Sequence, residues 1–357
     1  MVKRFAQGNT ANSGNMLRVR WLIRTLALVF FVSCLLITFQ TLLSKQVLYI
    51  EDNVIFVENS IPLPYPPITK HMDIPKIIHQ TWISEEIPKD YAKWIKSWQE
   101  NHPGWQYWFW TDADCLRLIR ERYPKFLELY ESYAQNINRA DVIRYFILYE
   151  FGGVYADLDM ESSKPLDGLL KDDAYSQCFL SQEPLEHAHW LWKVNHIACN
   201  AVMVCRRRHP FFAKVVEQLK FQKGTSLFMF VKANRGVMYA TGPLMITDLY
   251  NTYNDSYASV DASNRIHLVP SHYFYPTIDP NVMSTVKSWC EPSSSAQLPK
   301  VEQAICERHR RSKFSNEPVV GYYGNHHWVH TYYLGGEQEV SNIKDIVKTA
   351  VMANDIL

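Results

Sequence analysis

The chain has little net charge and little cysteine, and both shortages narrow what it can do. Thirty-seven basic against 36 acidic side chains leave +1 over 357 residues. That balance is too even for bulk electrostatic capture of nucleic acid. Seven cysteines are too few for a disulfide scaffold, and the absence of any Cys-x-x-Cys pair excludes a zinc ribbon. No repeat with a period of ~20–50 residues is visible, which argues against a solenoid. With 47% hydrophobic and 20% charged residues, wholesale disorder is excluded too. The length suits one large α/β domain or two small ones.

Charge is missing altogether from one stretch, residues 25–43. As a helix this run covers roughly 28 Å, close to the hydrocarbon thickness of a bilayer. Ser33, Thr38 and Gln40 are polar, but a helix satisfies its own backbone in lipid. Upstream stand Lys3, Arg4, Arg18, Arg20 and Arg24 with no acid; Glu51 and Asp52 follow downstream. The positive-inside rule then predicts a cytosolic tail at 1–24, a signal anchor at 25–43 and a luminal remainder. A cleaved signal peptide is the competing reading; the long basic region and the lack of a clean A-x-A site oppose it. Residues 44–73 read as a stem, because Pro62, Pro64, Pro66 and Pro67 favour an extended spacer. The catalytic domain is expected at 74–335, with 336–357 as a C-terminal helix or tail. No second run is long enough to cross a bilayer. Asn254-Asp255-Ser256 forms a glycosylation sequon. Cys290 and Cys306 could pair in an oxidising compartment, and free buried cysteines fit equally well.

Strands alternate with helices through the luminal part. Residues 76–82 (KIIHQTW) read as a buried strand, and 91–100 as a helix carrying Trp94, Ile95 and Trp98. Residues 105–110 (WQYWFW) read as an interior strand whose rings pack in the core rather than forming a sugar platform. Asp112 is the expected N-cap of the next helix, and Pro124 opens another. Residues 138–151 form the clearest helix, with a period of about 3.6 residues, ended by Gly152-Gly153. Strands are expected at 154–160, 201–204, 265–269 and 318–323, and helices open at Pro210 and near Pro243. The alternation predicts an α/β fold around a mainly parallel mixed sheet flanked by helices.

The centre of the chemistry is Val154-Tyr155-Ala156-Asp157-Leu158-Asp159. On this strand Tyr155, Asp157 and Asp159 share one face, with the carboxylates roughly 7 Å apart. Paired carboxylates of this kind suit a hard divalent ion, Mn²⁺ or Mg²⁺. The protein ligands in view do not fill a coordination shell, so a substrate diphosphate is expected to complete it. Alone, Asp-x-Asp is equally consistent with two solvated acids at a strand end. The helix before it adds weight. Asp141 and Arg144 are three residues apart on one helical face, and the double glycine brings that face to the aspartates. A surface ion pair worth under about 1 kcal/mol is the bland alternative; sugar binding by Asp141 and Arg144 is the functional one.

The stretch IPKIIHQTW … HPGWQYWFWTD … NRADVIRYFILYEFGGVYADLDM resembles the DXD-motif sugar-binding region of the glycosyltransferases that include the yeast initiating α-1,6-mannosyltransferase. Within that family it is most similar to the catalytic subunits of inositol phosphoceramide mannosyltransferase, and NAVMVCRRRHPFF and ATGPL fit the same branch. The resemblance implies a GT-A type fold, a nucleotide-sugar donor, a divalent metal and retention of anomeric configuration. It assigns Asp141 and Arg144 to the donor sugar, Tyr155 to the nucleoside, Asp157 to ribose and metal, and Asp159 to the metal. His79, Gln80 and Thr81 end the first strand, where open α/β sheets receive nucleotides. The family closes its site with a loop like HHWxxSW; here it reads Asn325-His326-His327-Trp328-Val329-His330-Thr331-Tyr332. Thr331 and Tyr332 replace the Ser-Trp pair; both are expected at the donor. His327 is the favoured third metal ligand, with His326 the other choice and ordinary surface histidines the bland reading. Asn200 is expected either to face the sugar or to sit in a turn, and Asp248 to be a solvated helix acid. No acid stands out as an enzyme nucleophile.

The expected protein is thus a type II Golgi membrane enzyme. It would move a hexose, mannose from GDP-mannose by preference, to a membrane lipid head group such as inositol phosphoceramide or to a glycan. A UDP-dependent galactosyl- or N-acetylglucosaminyltransferase, a metal-dependent phosphohydrolase and a catalytically silent sugar-binding partner are the alternatives. A regulatory subunit or self-association stays open.

Overall fold

The computed structural model describes residues 73–172, 177–221, 236–257, 264–292, 297–318, 320–329 and 339–357. The tail, anchor and stem expected at 1–72, and Thr331 and Tyr332, lie outside them. Among the described residues no helix is long and apolar enough to cross a membrane.

Strands β1 (Ile77–Trp82), β2 (Glu86–Pro88), β3 (Gln106–Thr111), β4 (Gly153–Ala156), β5 (Met160–Ser162), β6 (Cys178–Gln182), β7 (Ala198–Cys205), β8 (His267–Val269), β9 (Gly324–His326), β10 (Val340–Asn342) and β11 (Val351–Met352) alternate with helices. Those of ten residues or more are α1 (Ala92–Asn101), α2 (Asp112–Arg122), α3 (Asn136–Phe151), α4 (Pro210–Phe221), α5 (Pro243–Tyr257), α6 (Pro280–Trp289) and α7 (Lys300–Arg311). Seven strands form one sheet in the order β11-β3-β1-β4-β7-β6-β8. Of these only β7 runs against its neighbours. The mainly parallel mixed sheet read from the sequence is therefore present.

Both faces of β3 are interior: Tyr107, Trp108, Phe109 and Trp110 are all buried, as the core reading of WQYWFW requires. On α1, Trp94, Ile95 and Trp98 face the core, and the Trp98 indole N–H donates to the Met160 carbonyl at 2.7 Å. α2 is capped one residue earlier than expected. Thr111 accepts from the Asp114 N–H while Asp114 accepts from the Thr111 N–H, so a capping box forms and Asp112 becomes the first helical residue. α3 is buried on nearly every side. Gly152 (φ 68°) and Gly153 (φ 94°) turn it straight into β4. A Cβ on Gly152 would stand 2.5 Å from the Arg207 nitrogen, and one on Gly153 2.5 Å from the Ile77 carbonyl oxygen. No side chain fits at either place.

Three expectations change. The strand after the double glycine ends at Ala156 instead of 160, because the Met160 N–H closes a turn onto the Asp157 carbonyl at 3.0 Å. The strand expected at 318–323 forms at Gly324–His326 and pairs with β5, Met160 opposite His326. Residues 339–357 are not an appendage: β10 pairs with β2, β11 adds an edge to the main sheet, and Ile343, Ile346, Val347 and Met352 are buried in the core. Their apolar spacing is too short to announce a strand. Cys290 and Cys306 are bonded, as are Cys178 and Cys205, neighbours across β6 and β7. Cys115 and Cys199 are free and buried. The Asn254 sequon lies in α5, and Asp248 on the same helix is exposed.

Candidate active site

Parallel strands end at one edge of the sheet, and the residues singled out above collect there. Asp157 begins the turn after β4, and its N–H donates to the Ala201 carbonyl of antiparallel β7 at 2.8 Å. Tyr155 donates its hydroxyl to Asp157 Oδ1 at 2.8 Å, so the Thr81 hydroxyl, 3.1 Å from the phenol oxygen, is the donor to it. Arg144 reaches across from α3. Its Nη1 donates to Asp157 Oδ2 at 3.1 Å and to the Asn200 carbonyl at 2.9 Å, while Nη2 lies 3.4 Å from Asp141 Oδ1. The guanidinium also lies over the Tyr155 ring, 4.8 Å from its centre. The pair at Asp141 and Arg144 is thus no surface ion pair: both side chains are about 5% exposed or less.

Asn200 lies within β7, not in a turn. Its amide donates to Asp141 Oδ1 and to the Tyr145 hydroxyl oxygen, both at 2.8 Å. Thr241 donates to Asp141 Oδ2 at 3.0 Å, and Asn138 donates to Thr241 at 2.9 Å. Tyr145 closes the network by donating to the Thr241 carbonyl. Thr241 and Asn138 as members of this network were missed, whereas Tyr145 stands on the face that Asp141 and Arg144 mark. Thr241 read only as the start of a helix, and the neighbouring Gly242 is the signal that could have found it: a Cβ there would meet Asp141 Oδ2 at 3.4 Å. Burial lifts the Asp141 and Asp157 carboxyls above the ordinary range, against the opposing pull of Arg144.

The second acid of the motif is built differently. Asp159 follows in the turn, not on the strand, yet a ligand atom of Asp157, of Asp159 and of His326 all lie within 4.8 Å of one another. His326 Nε2 is 3.2 Å from Asp159 Oδ1. The Val329 N–H donates to Asp159 Oδ2 and the His327 N–H to the Asp159 carbonyl, both at 3.0 Å. Burial would lift the Asp159 carboxyl, but His326 and these donors hold it down to about 2. Burial would likewise depress the His326 imidazole; the facing Asp159 carboxylate raises it above its ordinary 6.5.

His327, favoured from spacing, turns the other way. It bonds Glu161 at 2.8 Å and stacks on Trp94 with ring centres 4.2 Å apart. His327 lies just past the end of β9, and its contacts with Glu161 and Trp94 leave His326 as the histidine that meets the acidic pair. The first strand divides similarly. His79 is fully buried, accepts from the Trp110 indole at Nδ1 and donates from Nε2 to the Gly152 carbonyl. Burial drives its imidazole down to about 3, so it is a neutral core residue with no ring nitrogen left for a nucleotide. Gln80 is equally engaged: it accepts from Tyr107 at 2.6 Å and donates to the Asp157 carbonyl at 3.1 Å. Thr81 reaches the Asp157 carboxylate only indirectly, through the Tyr155 hydroxyl.

The Asp157–Leu158–Asp159 motif at the strand-edge turn thus meets Asp141 and Arg144 of the preceding helix. Residues 88–176 match the family described as glycosyltransferase sugar-binding region containing DXD motif. That segment of the chain carries this region. Two curated relatives of this chain are fungal. Inositol phosphoceramide mannosyltransferase 3 of Schizosaccharomyces pombe is 38% identical over 181 residues, 50% of this chain and 46% of the relative. Mannosyl phosphorylinositol ceramide synthase SUR1 of Saccharomyces cerevisiae is 34% identical over 249 residues, 67% of this chain and 60% of the relative. The chain spans about half the length of the curated relatives it matches. Among solved structures, PaToxG glycosyltransferase overlaps 71% of this chain and 89% of its own at 14% identity and a TM-score of 0.35, too loose an overlap to define the fold.

Proposed function

We propose that this DXD glycosyltransferase is a retaining, metal-dependent enzyme of GT-A type that transfers a hexose, mannose from GDP-mannose, to the head group of a membrane lipid such as inositol phosphoceramide. The observation that carries the reading is the meeting of Asp157, Asp159 and His326 beside the buried Asp141–Arg144 pair. Two carboxylates and one imidazole fit a divalent cation, Mn²⁺ or Mg²⁺, and leave coordination positions for substrate oxygens. When bound, such an ion supplies charge neutralisation for a leaving diphosphate.

The chain's own residues do the rest. His326 must give up its proton to offer Nε2, and Asp159 stays ionised while it does so. Arg144 balances the charge of Asp141 and Asp157 and holds both in place. Asp141 keeps lone pairs beyond those taken by Asn200 and Thr241, with which it accepts hexose hydroxyls. Tyr155 fixes Asp157 from below, with Thr81 behind it. Thr331 and Tyr332 are assigned to the donor phosphates and His327 to the rim. The names of the relatives support the mannosyl donor and the phosphoinositol-ceramide acceptor, and the charge-free run at 25–43 supports a single-pass type II Golgi membrane protein.

A thermal-shift panel of GDP-mannose, UDP-galactose, UDP-GlcNAc and UDP-glucose, each with and without Mn²⁺, tests the donor. Stabilisation by GDP-mannose that needs the cation is expected. Cation-dependent stabilisation by a UDP-sugar alone would replace the donor, and no response to any of the four would reject the transferase reading. Release of free phosphate from the donor would point to a hydrolase instead.

A further inference from the structure

The turn that presents His326 is held by a residue in an unfavourable conformation. Trp328 has φ 54°, in the left-handed region. Bulky side chains rarely adopt it and keep it only where the surroundings fix it. The reversal at Trp328 brings the His326 ring, the His327 N–H and the Val329 N–H onto Asp159 together. With an ordinary backbone at that residue the chain could not serve Asp159 from both sides.

Three rings confine the Trp328 indole. His326 lies 4.1 Å away between centres, His187 4.5 Å and Tyr275 5.7 Å. His187 is itself fixed at both nitrogens. Its Nε2 accepts from the Asp279 N–H at 3.3 Å, so its proton sits on Nδ1 and is donated to Glu183 Oε2 at 3.0 Å. Glu183 follows β6 directly, and its N–H donates to the Ile197 carbonyl at 2.9 Å. Glu183 and His187 are both buried, at 6% and 3% exposure. Among the described residues, no lysine or arginine forms a salt bridge with Glu183. Its partners are His187 and the buried Cys199 thiol beside it.

We propose that Glu183 and His187 are positioning residues that clamp Trp328 and so hold the 326–329 turn in the shape that loads His326 and Val329 onto Asp159. The clamp transmits the rigidity of β6 to a turn whose local sequence would relax away from it. This deepens the proposed reading of the site, and for its consequence on cation affinity it rests on that reading. Neither residue touches the cation.

The test has two readouts on the full-length protein. Hydrogen exchange of the His327 and Val329 amides, measured without metal, reports the turn itself. In Glu183→Ala and His187→Ala these two amides are expected to exchange at least about tenfold faster, while amides of α3 and β4 keep their wild-type protection. Mn²⁺ affinity, followed by the electron-paramagnetic signal of the free ion, is expected to fall about tenfold in the same variants, as loss of residues that orient a ligand does. Glu183→Gln keeps an acceptor for His187 and should stay within about threefold of wild type. His187→Phe keeps a ring against Trp328 but loses the bond to Glu183; it should fall between. Unchanged exchange at His327 and Val329 in folded Glu183→Ala and His187→Ala overturns the clamp. So does Trp328→Gly, which frees the backbone and removes the ring, if its Mn²⁺ affinity and exchange match wild type. Wild type that binds no Mn²⁺ sinks the cation reading instead, and the exchange measurement still decides the clamp.

Discussion

The two halves of the candidate site are built by opposite means. On the helix side, Asp141, Arg144, Tyr145 and Asn200 stand on α3 and β7, and nearly every polar atom is matched by another from regular structure. On the loop side, Asp159 sits in a turn and His326 ends a three-residue strand. The backbone just beyond His326 reverses at Trp328, in the left-handed region, and returns the Val329 N–H to Asp159. The first half is inseparable from the core, so damage there should unfold the protein. The second is a small attachment whose loss should spare the fold and remove the chemistry. Stability and activity are therefore expected to part company across a distance of one side chain, with Asp157 as the shared post.

The sharpest way to break this contrast is Asp159→Asn. Transfer should fall by about a thousandfold or more, ~4 kcal/mol of barrier, while stability falls by no more than about 2 kcal/mol. Retained activity in a transfer assay would remove Asp159 from the chemistry. Next in size is Arg144→Met. It leaves Asp141 and Asp157 buried without their cation, at a cost of about 3–5 kcal/mol in denaturant unfolding. A loss of activity with intact stability would show that the helix side is as detachable as the loop side.

The acid–imidazole pair makes a third, smaller test by pH in the presence of a chelator. Asp159 is depressed from 3.8 to about 2 in the folded chain. Its contribution of about 2 kcal/mol is full above pH 4 and lost as pH falls toward 2. His326 is raised above 6.5, so its contribution is full below 6.5 and lost as pH rises through the raised value. The stability difference between wild type and His326→Ala should therefore peak between about pH 4 and 6.5. Mn²⁺ affinity should rise as pH passes the upper limb, where Nε2 becomes free. A flat difference across pH 3–8 would show that the two groups do not form a pair. Smallest is Thr81→Val, which removes the donor to Tyr155 and should cost about 1 kcal/mol and a few-fold in rate.

How much could be read in advance follows the same division. The helix, the double glycine and the acidic motif are contiguous, and their meaning depends on local rules: helical period, glycine stops and charge spacing. Asp141 beside Arg144, and both near Asp157, followed from those rules. The strand alternation invoked for Asp157 and Asp159 was the wrong reason for a correct neighbourhood, since a turn brings them together. His79 looked available at a strand end, but Trp110 and Gly152 occupy its ring from 31 and 73 residues away. His326 and His327 are indistinguishable by composition, and only the pairing of β9 with β5 chooses between them.

Composition and local pattern by themselves determined an α/β chain with a charge-free segment near its start, a long buried helix stopped by glycine, and an acidic pair placed to follow it. Those properties arise from interactions within a few residues, where bond geometry and burial preference suffice. Which histidine meets Asp159, that Asn200 and Thr241 hold Asp141, and that residues 339–357 complete the sheet were decided by tertiary structure. They depend on contacts between segments tens to hundreds of residues apart, set when the core closes.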